Sequence, residues 1–146
     1  MNYSHRASCR FTVASWSESV VSDIDDSGTT IGGTYYPMRG LTRAEVRYSY
    51  TGDLAGSGTL VYLIGYKADA APVLGFERFE GTVAGREGTC VFRHVGTQDK
   101  GSVSAQIDVV PGMGTGGLEN LRGEAELCIA GQSDDGYPLT LCFDVE

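Results

Sequence analysis

The chain has 146 residues, 41% of them hydrophobic and 21% charged, a balance that suits one globular domain spanning 1–146 and excludes disorder and fibrous repeats. A formal net charge of −8 with scattered arginines excludes a phosphate-backbone binder, so no nucleic-acid partner is expected, and it disfavours docking on anionic lipid. No apolar run approaches the ~18–20 residues of a membrane span, and the opening MNYSHRASC lacks the apolar core of a signal peptide, so a cytoplasmic protein with no membrane partner is expected.

Apolar alternation with period two recurs in short runs, and no segment sustains helical spacing, so the chain reads as all-β. Its 21 glycines, about twice the usual share, fall between those runs as turn chemistry. The first predicted strand lies near Ala7 to Glu18, where Cys9, Phe11 and Val13 alternate with polar neighbours. From Ser22 to Gly40 the pattern lapses into a long connection rich in Asp, Ser, Thr and Gly. Connections of that length are commonly functional or mobile, and Tyr35, Tyr36 and Met38 suit either a surface crossover that packs its own aromatics or a lid over a barrel mouth.

Seven further strands follow near 41–54, 57–67, 73–84, 88–97, 101–110, 122–130 and 138–145. Eight antiparallel strands suffice to close a single barrel around side chains or one small ligand, and a barrel with an internal cavity is expected. In the last hairpin a loop at Asp134-Asp135-Gly136 would set Ser133 against Tyr137, Leu127 against Phe143 and Ile129 against Leu141. The same register places Cys128 opposite Cys142 on the outer face. With Cys9 and Cys90 unpaired as well, four free thiols are expected in a reducing compartment.

Two inward-facing polar residues stand out. In GFERFEG (Gly75 to Gly81), Glu77 shares a parity with Val73 and Phe79, and in VFRHVGT (Val91 to Thr97), His94 shares one with Cys90 and Phe92. A two-residue turn at Gly85-Arg86 would oppose Glu77 to His94, and a longer loop would offset them by two on the same face. An acid beside an imidazole in an apolar barrel has the groups needed for general acid/base catalysis, and equally for a self-satisfied buried pair. Tyr48, Tyr50, Tyr62 and Tyr66, with Phe79 and Phe92, are candidate ligand-binding residues around the cavity, or core filling. Glu45 and Arg47 have the outward parity.

The segment Gly114 to Leu127 lacks the ending and spacing of a phosphate loop; its Leu118 and Leu121 suit the closure of one barrel end, with Gly123 leading back into the sheet. Only His5 and His94 are present, which excludes a histidine-rich metal site. Neither a serine-elbow motif nor a dinucleotide fingerprint occurs, so no cofactor and no metal are expected.

FTVASW (Phe11 to Trp16), YSYTGDLAGSGT (Tyr48 to Thr59), GFERFEG, HVGT (His94 to Thr97) and PGMGTGGLENLRGEAEL together resemble a bacterial domain-of-unknown-function family of small β-barrels, similar in fold to allene oxide cyclase. The resemblance spans nearly the whole chain. It implies an eight-stranded lipocalin-like barrel of a kind that is often oligomeric, which leaves a homo-oligomer open, and it implies no activity. Glu77 and His94 match polar positions of that family, whereas the Ser22–Gly40 connection is longer than its pattern. Function is therefore expected to be the binding of a small hydrophobic or amphipathic metabolite, with cofactor-free cyclase or isomerase chemistry at Glu77 and His94, or alternatively a non-catalytic carrier.

Overall fold

The computed structural model describes residues 3–99, 102–130 and 135–145, and among these no residue is helical. The strands are β1 (His5–Asp23), β2 (Gly28–Ile31), β3 (Thr34–Pro37), β4 (Gly40–Gly52), β5 (Leu54–Tyr66), β6 (Ala71–Val83), β7 (Arg86–Asp99), β8 (Ser102–Val109), β9 (Thr115–Gly116), β10 (Arg122–Ala130) and β11 (Tyr137–Asp144). Eight of them run β6-β5-β4-β1-β11-β10-β8-β7, and β7 pairs back onto β6, so the sheet closes into an antiparallel barrel whose β10–β11 seam is paired, among the described residues, only at Arg122–Asp144, Gly123–Phe143 and Glu124–Cys142. β9 adds a short pairing to the start of β7, through Gly88–Gly116 and Thr89–Thr115. No described helix is long and apolar enough to cross a membrane.

Period-two patterning explains the closure. Along β4, Thr42, Ala44, Val46, Tyr48 and Tyr50 are buried, while Leu41, Arg43, Glu45, Arg47 and Ser49 are exposed. Each buried residue is matched across the sheet by an inward neighbour. One inner row runs Ala44, Tyr62, Gly75, His94, Ile107, and the next runs Val46, Leu60, Glu77, Phe92, Val109. Phe11, Tyr48, Tyr50, Tyr62, Phe79 and Phe92 are each at most 4% exposed. Six such rings fill an eight-stranded barrel, whose bore is just wide enough for side chains. These rings pack against one another in the middle of the barrel, and a cleft opens at one mouth.

The eight expected strands correspond one to one to the barrel strands, but three local readings change. The 22–40 connection contains a hairpin, with β2 and β3 joined at Gly32-Gly33 in positive-φ conformations. The β6–β7 turn is Ala84-Gly85, also at positive φ, and not Gly85-Arg86, so Glu77 pairs with Phe92 and Gly75 with His94. In the last hairpin, Phe143 pairs with Gly123 and Cys142 with Glu124. Leu127 is therefore not opposite Phe143, Ile129 is not opposite Leu141, and Cys128 is not opposite Cys142. That register slips by an even number of residues, which preserves which face each side chain takes. Ser133 and Asp134 lie outside the described residues; Gly136 has the expected positive φ of 81°. Leu118 and Leu121 are buried, as expected for a closed barrel end. All four cysteines are free.

Candidate functional site

β1 is 19 residues long, and two register shifts along it decide which of its side chains reach the interior. Before the first shift, Phe11 and Val13 pair with Tyr50 and Tyr48; after it, Trp16, Glu18 and Val20 pair with Val46, Ala44 and Thr42. The extra residue at Ala14 inverts the parity, as a bulge does, and swings Trp16 and Glu18 onto the inner side near the mouth. Sequence reasoning missed both, because alternation counted from Cys9 assigns them to the outer wall.

Two carboxylate centres result. Glu77, on β6, and His94, on β7, are both 0% exposed, and His94 Nε2 lies 2.8 Å from Glu77 Oε1. The Tyr50 hydroxyl donates to Glu77 Oε2 at 2.5 Å, and the Tyr62 hydroxyl lies 3.3 Å from His94 Nδ1. Space for this network comes from two glycines. A Cβ at position 58 would stand 1.8 Å from Glu77 Oε2, and one at position 75 would stand 2.9 Å from Tyr62 Cδ1 and 2.3 Å from the Val61 carbonyl oxygen. The Tyr48 hydroxyl is buried near that of Tyr62 but outside hydrogen-bonding geometry. Burial holds the phenols of Tyr48, Tyr50 and Tyr62 well above their ordinary range, with the Glu77 charge adding to it. The Cys9 thiol is pushed up to about 11 and that of Cys90 to about 12, again chiefly by burial.

The second centre is open. Glu18 accepts from Trp16 Nε1 at 3.0 Å, and its other oxygen accepts from Thr42 Oγ1 and the Tyr66 hydroxyl, both at 2.6 Å. Burial and this bond to Glu18 together raise the Tyr66 phenol. Around them lies a cleft of about 470 Å³ walled by Trp16, Tyr36 and Tyr66, with Ile31 at its rim and Gln98 and Asp99 from the end of β7. Tyr36 meets Tyr66 edge to face, with ring centroids 6.1 Å apart, so the β2–β3 hairpin contributes one ring to the cleft wall. Tyr35 instead bonds Asp23, and Met38 stays 63% exposed. Trp16 also packs against Tyr62 at 6.3 Å, one ring away from His94.

The structure thus brings Glu77, His94, Tyr50 and Tyr62 together and stacks Tyr48, Phe79 and Phe92 around them, whereas Tyr66 belongs to the mouth. Phe79 makes ring contacts with Tyr50 at 5.3 Å and Phe92 at 6.0 Å, which seals the pair. The sequence signal for the mouth was modest: a Trp and a Glu two residues apart at the end of an unusually long strand. Among the described residues no group of three or more His, Cys, Asp or Glu is placed to hold a metal ion.

Fold and site together define a closed antiparallel barrel with a sealed acid–imidazole pair and an aromatic, acid-lined mouth. Residues 7–141 match the family described as "Protein of unknown function (DUF3224)", and the chain belongs to that family. It is similar to the crystal structure of a protein of unknown function from the same family of Shewanella oneidensis MR-1, at 19% identity, with a TM-score of 0.68 and coverage of 97% of this chain and 98% of that one. No curated protein matches the sequence.

Proposed function

We propose that the protein binds a small amphipathic molecule in the cleft at the barrel mouth. The observation that carries this reading is the cleft itself. Its volume of about 470 Å³ falls within the ~300–1,000 Å³ typical of small-ligand sites, and its aromatic walls enclose a fixed carboxylate. Polar groups held by their own hydrogen bonds are what orient a ligand in an otherwise apolar pocket. Glu18, gripped by three donors, meets that description.

Native mass spectrometry of protein purified from its own host tests the proposal. A defined adduct is expected that disappears on denaturation and is absent from Trp16→Ala. Bare protein that also fails to take up any member of a panel of small amphipaths would overturn it.

A second reading, cofactor-free cyclisation or isomerisation by Glu77 and His94, is favoured by one observation. The Tyr48 hydroxyl sits buried near the pair, beside that of Tyr62 and outside good hydrogen-bonding geometry among the described residues, so it has capacity to accept or donate to a ligand atom. Because neither Glu77 nor His94 has exposed surface, this chemistry requires the ring stack to part before a substrate reaches them. Incubating the recovered ligand with fresh protein separates the readings. A carrier returns it unchanged, while an enzyme converts it and loses that conversion in Glu77→Gln and His94→Asn.

A further inference from the structure

The cleft's chemistry goes further than its shape. Among the described residues its walls carry three carboxylates, Glu18, Asp69 and Asp99, against one ammonium, Lys67, and the Lys67 ammonium is turned onto Asp69. Trp16 and Tyr66, the wall donors beside Glu18, both point their hydrogens at it, so neither is free to greet an anion. On the acceptor side, Gln98 Oε1 is buried in the wall with no hydrogen-bond partner among the described residues. The rings of Trp16, Tyr36 and Tyr66 supply π faces, which attract cations. A net charge of −8 adds a long-range field of the same sign.

We propose that the mouth cleft selects amphipathic cations, with an ammonium head held between the aromatic faces and the Glu18, Gln98 and Asp99 oxygens and a small apolar body lying toward Ile31. This rests on the reading of the cleft as a ligand site. An anionic ligand would face the Glu18 and Asp99 charges, the Asp69 charge being met by Lys67, with the Trp16 and Tyr66 hydrogens already given to Glu18. A neutral alcohol can donate a single hydrogen bond but leaves the Glu18 and Asp99 charges uncompensated, which an ammonium does not.

The chain's single tryptophan is Trp16, so its fluorescence reports directly on the cleft. The test titrates the intact protein at low salt with 2-phenylethylammonium, 2-phenylethanol and 3-phenylpropionate, which share an aromatic body and differ in charge. The ammonium is expected to bind at least ~10-fold more tightly than the alcohol, and the carboxylate not to bind. That preference shrinks toward unity at 1 M salt, in Glu18→Gln and in Asp99→Asn, the last lying at an exposed strand end where folding is not at stake. Alcohol binding equal to or tighter than ammonium binding, or a preference untouched by Asp99→Asn, overturns the cation proposal and leaves the cleft as a binding site. Emission unmoved by all three at millimolar concentration overturns both.

Discussion

Glu77 and Glu18 are two versions of one arrangement, a carboxylate on the inner wall held by a tyrosine hydroxyl from another strand. Tyr50 serves the first at 2.5 Å and Tyr66 the second at 2.6 Å. They differ in what surrounds them. Glu77 sits where two glycines have been traded for side-chain reach and large rings close every other direction, while Glu18 sits where β1 has run past the ring stack and only Tyr36 leans over it. Burial makes the first centre a specifier of the fold, because every polar atom there must find its partner or cost free energy. Access makes the second a recognition surface. The Trp16–Tyr62 contact is a ring-to-ring step between them.

The sharpest way to break this comparison is to fill the space on which the sealed centre depends. In Gly58→Ala the new methyl would overlap Glu77 Oε2, at 1.8 Å, so the carboxylate must leave both Tyr50 and His94. Breaking a buried pair costs about 3–5 kcal/mol. Denaturant unfolding is expected to show a loss of that order for Gly58→Ala, against about 1 kcal/mol for Tyr66→Phe at the open centre. A Gly58→Ala variant as stable as the parent would mean that Glu77 is not fixed where the register puts it.

The same contrast explains what the sequence made legible. Glu77 and His94 could be read inward because β6 and β7 alternate without interruption, and an error of two residues in their turn left the face unchanged. The register of the last hairpin failed for the same kind of reason and did as little harm to the core. Trp16 and Glu18 were hidden by a single extra residue, since a bulge flips parity and leaves no mark in composition. The β2–β3 hairpin did leave a mark: Thr29-Thr30-Ile31 and Thr34-Tyr35-Tyr36 flank Gly32-Gly33, a two-residue turn signal between β-formers. How the rings divide the bore could not be read from strand count, because eight strands accommodate either packed side chains or a small ligand.

A smaller effect sharpens the comparison by measuring coupling in place of total loss. Glu77→Leu or His94→Leu alone leaves a buried polar partner stranded, while the double variant removes both polar groups and fills the space with apolar atoms. The double is expected to be less destabilised than the sum of the singles by about 1–3 kcal/mol. The corresponding cycle of Glu18→Gln with Tyr66→Phe, in a half-buried and solvated setting, is expected to couple by less than about 1 kcal/mol. Equal coupling at the two centres would erase the distinction drawn between them.

The gentlest perturbation is alkaline pH, which acts on the sealed region through groups that burial keeps protonated. Cys9 and Cys90 lose their protons near 9.0 when unfolded, but only near about 11 and about 12 in the folded barrel. Below pH 9 both states hold these protons and stability is unaffected by them. Above pH 9 the unfolded chain binds fewer protons than the native one, so stability falls with rising pH until the folded thiols ionise in turn, in the window from about 9 to about 12. The buried phenols of Tyr48 and Tyr50, raised in the same direction, steepen the fall once an unfolded tyrosine can ionise. Denaturant midpoints taken at half-unit steps from pH 7 to 10.5 should therefore be flat and then decline, with the bend near 9. The Cys9→Ser, Cys90→Ser double variant should move that bend upward toward the tyrosine range, and a bend unchanged by it would assign the alkaline loss to groups outside the sealed centre.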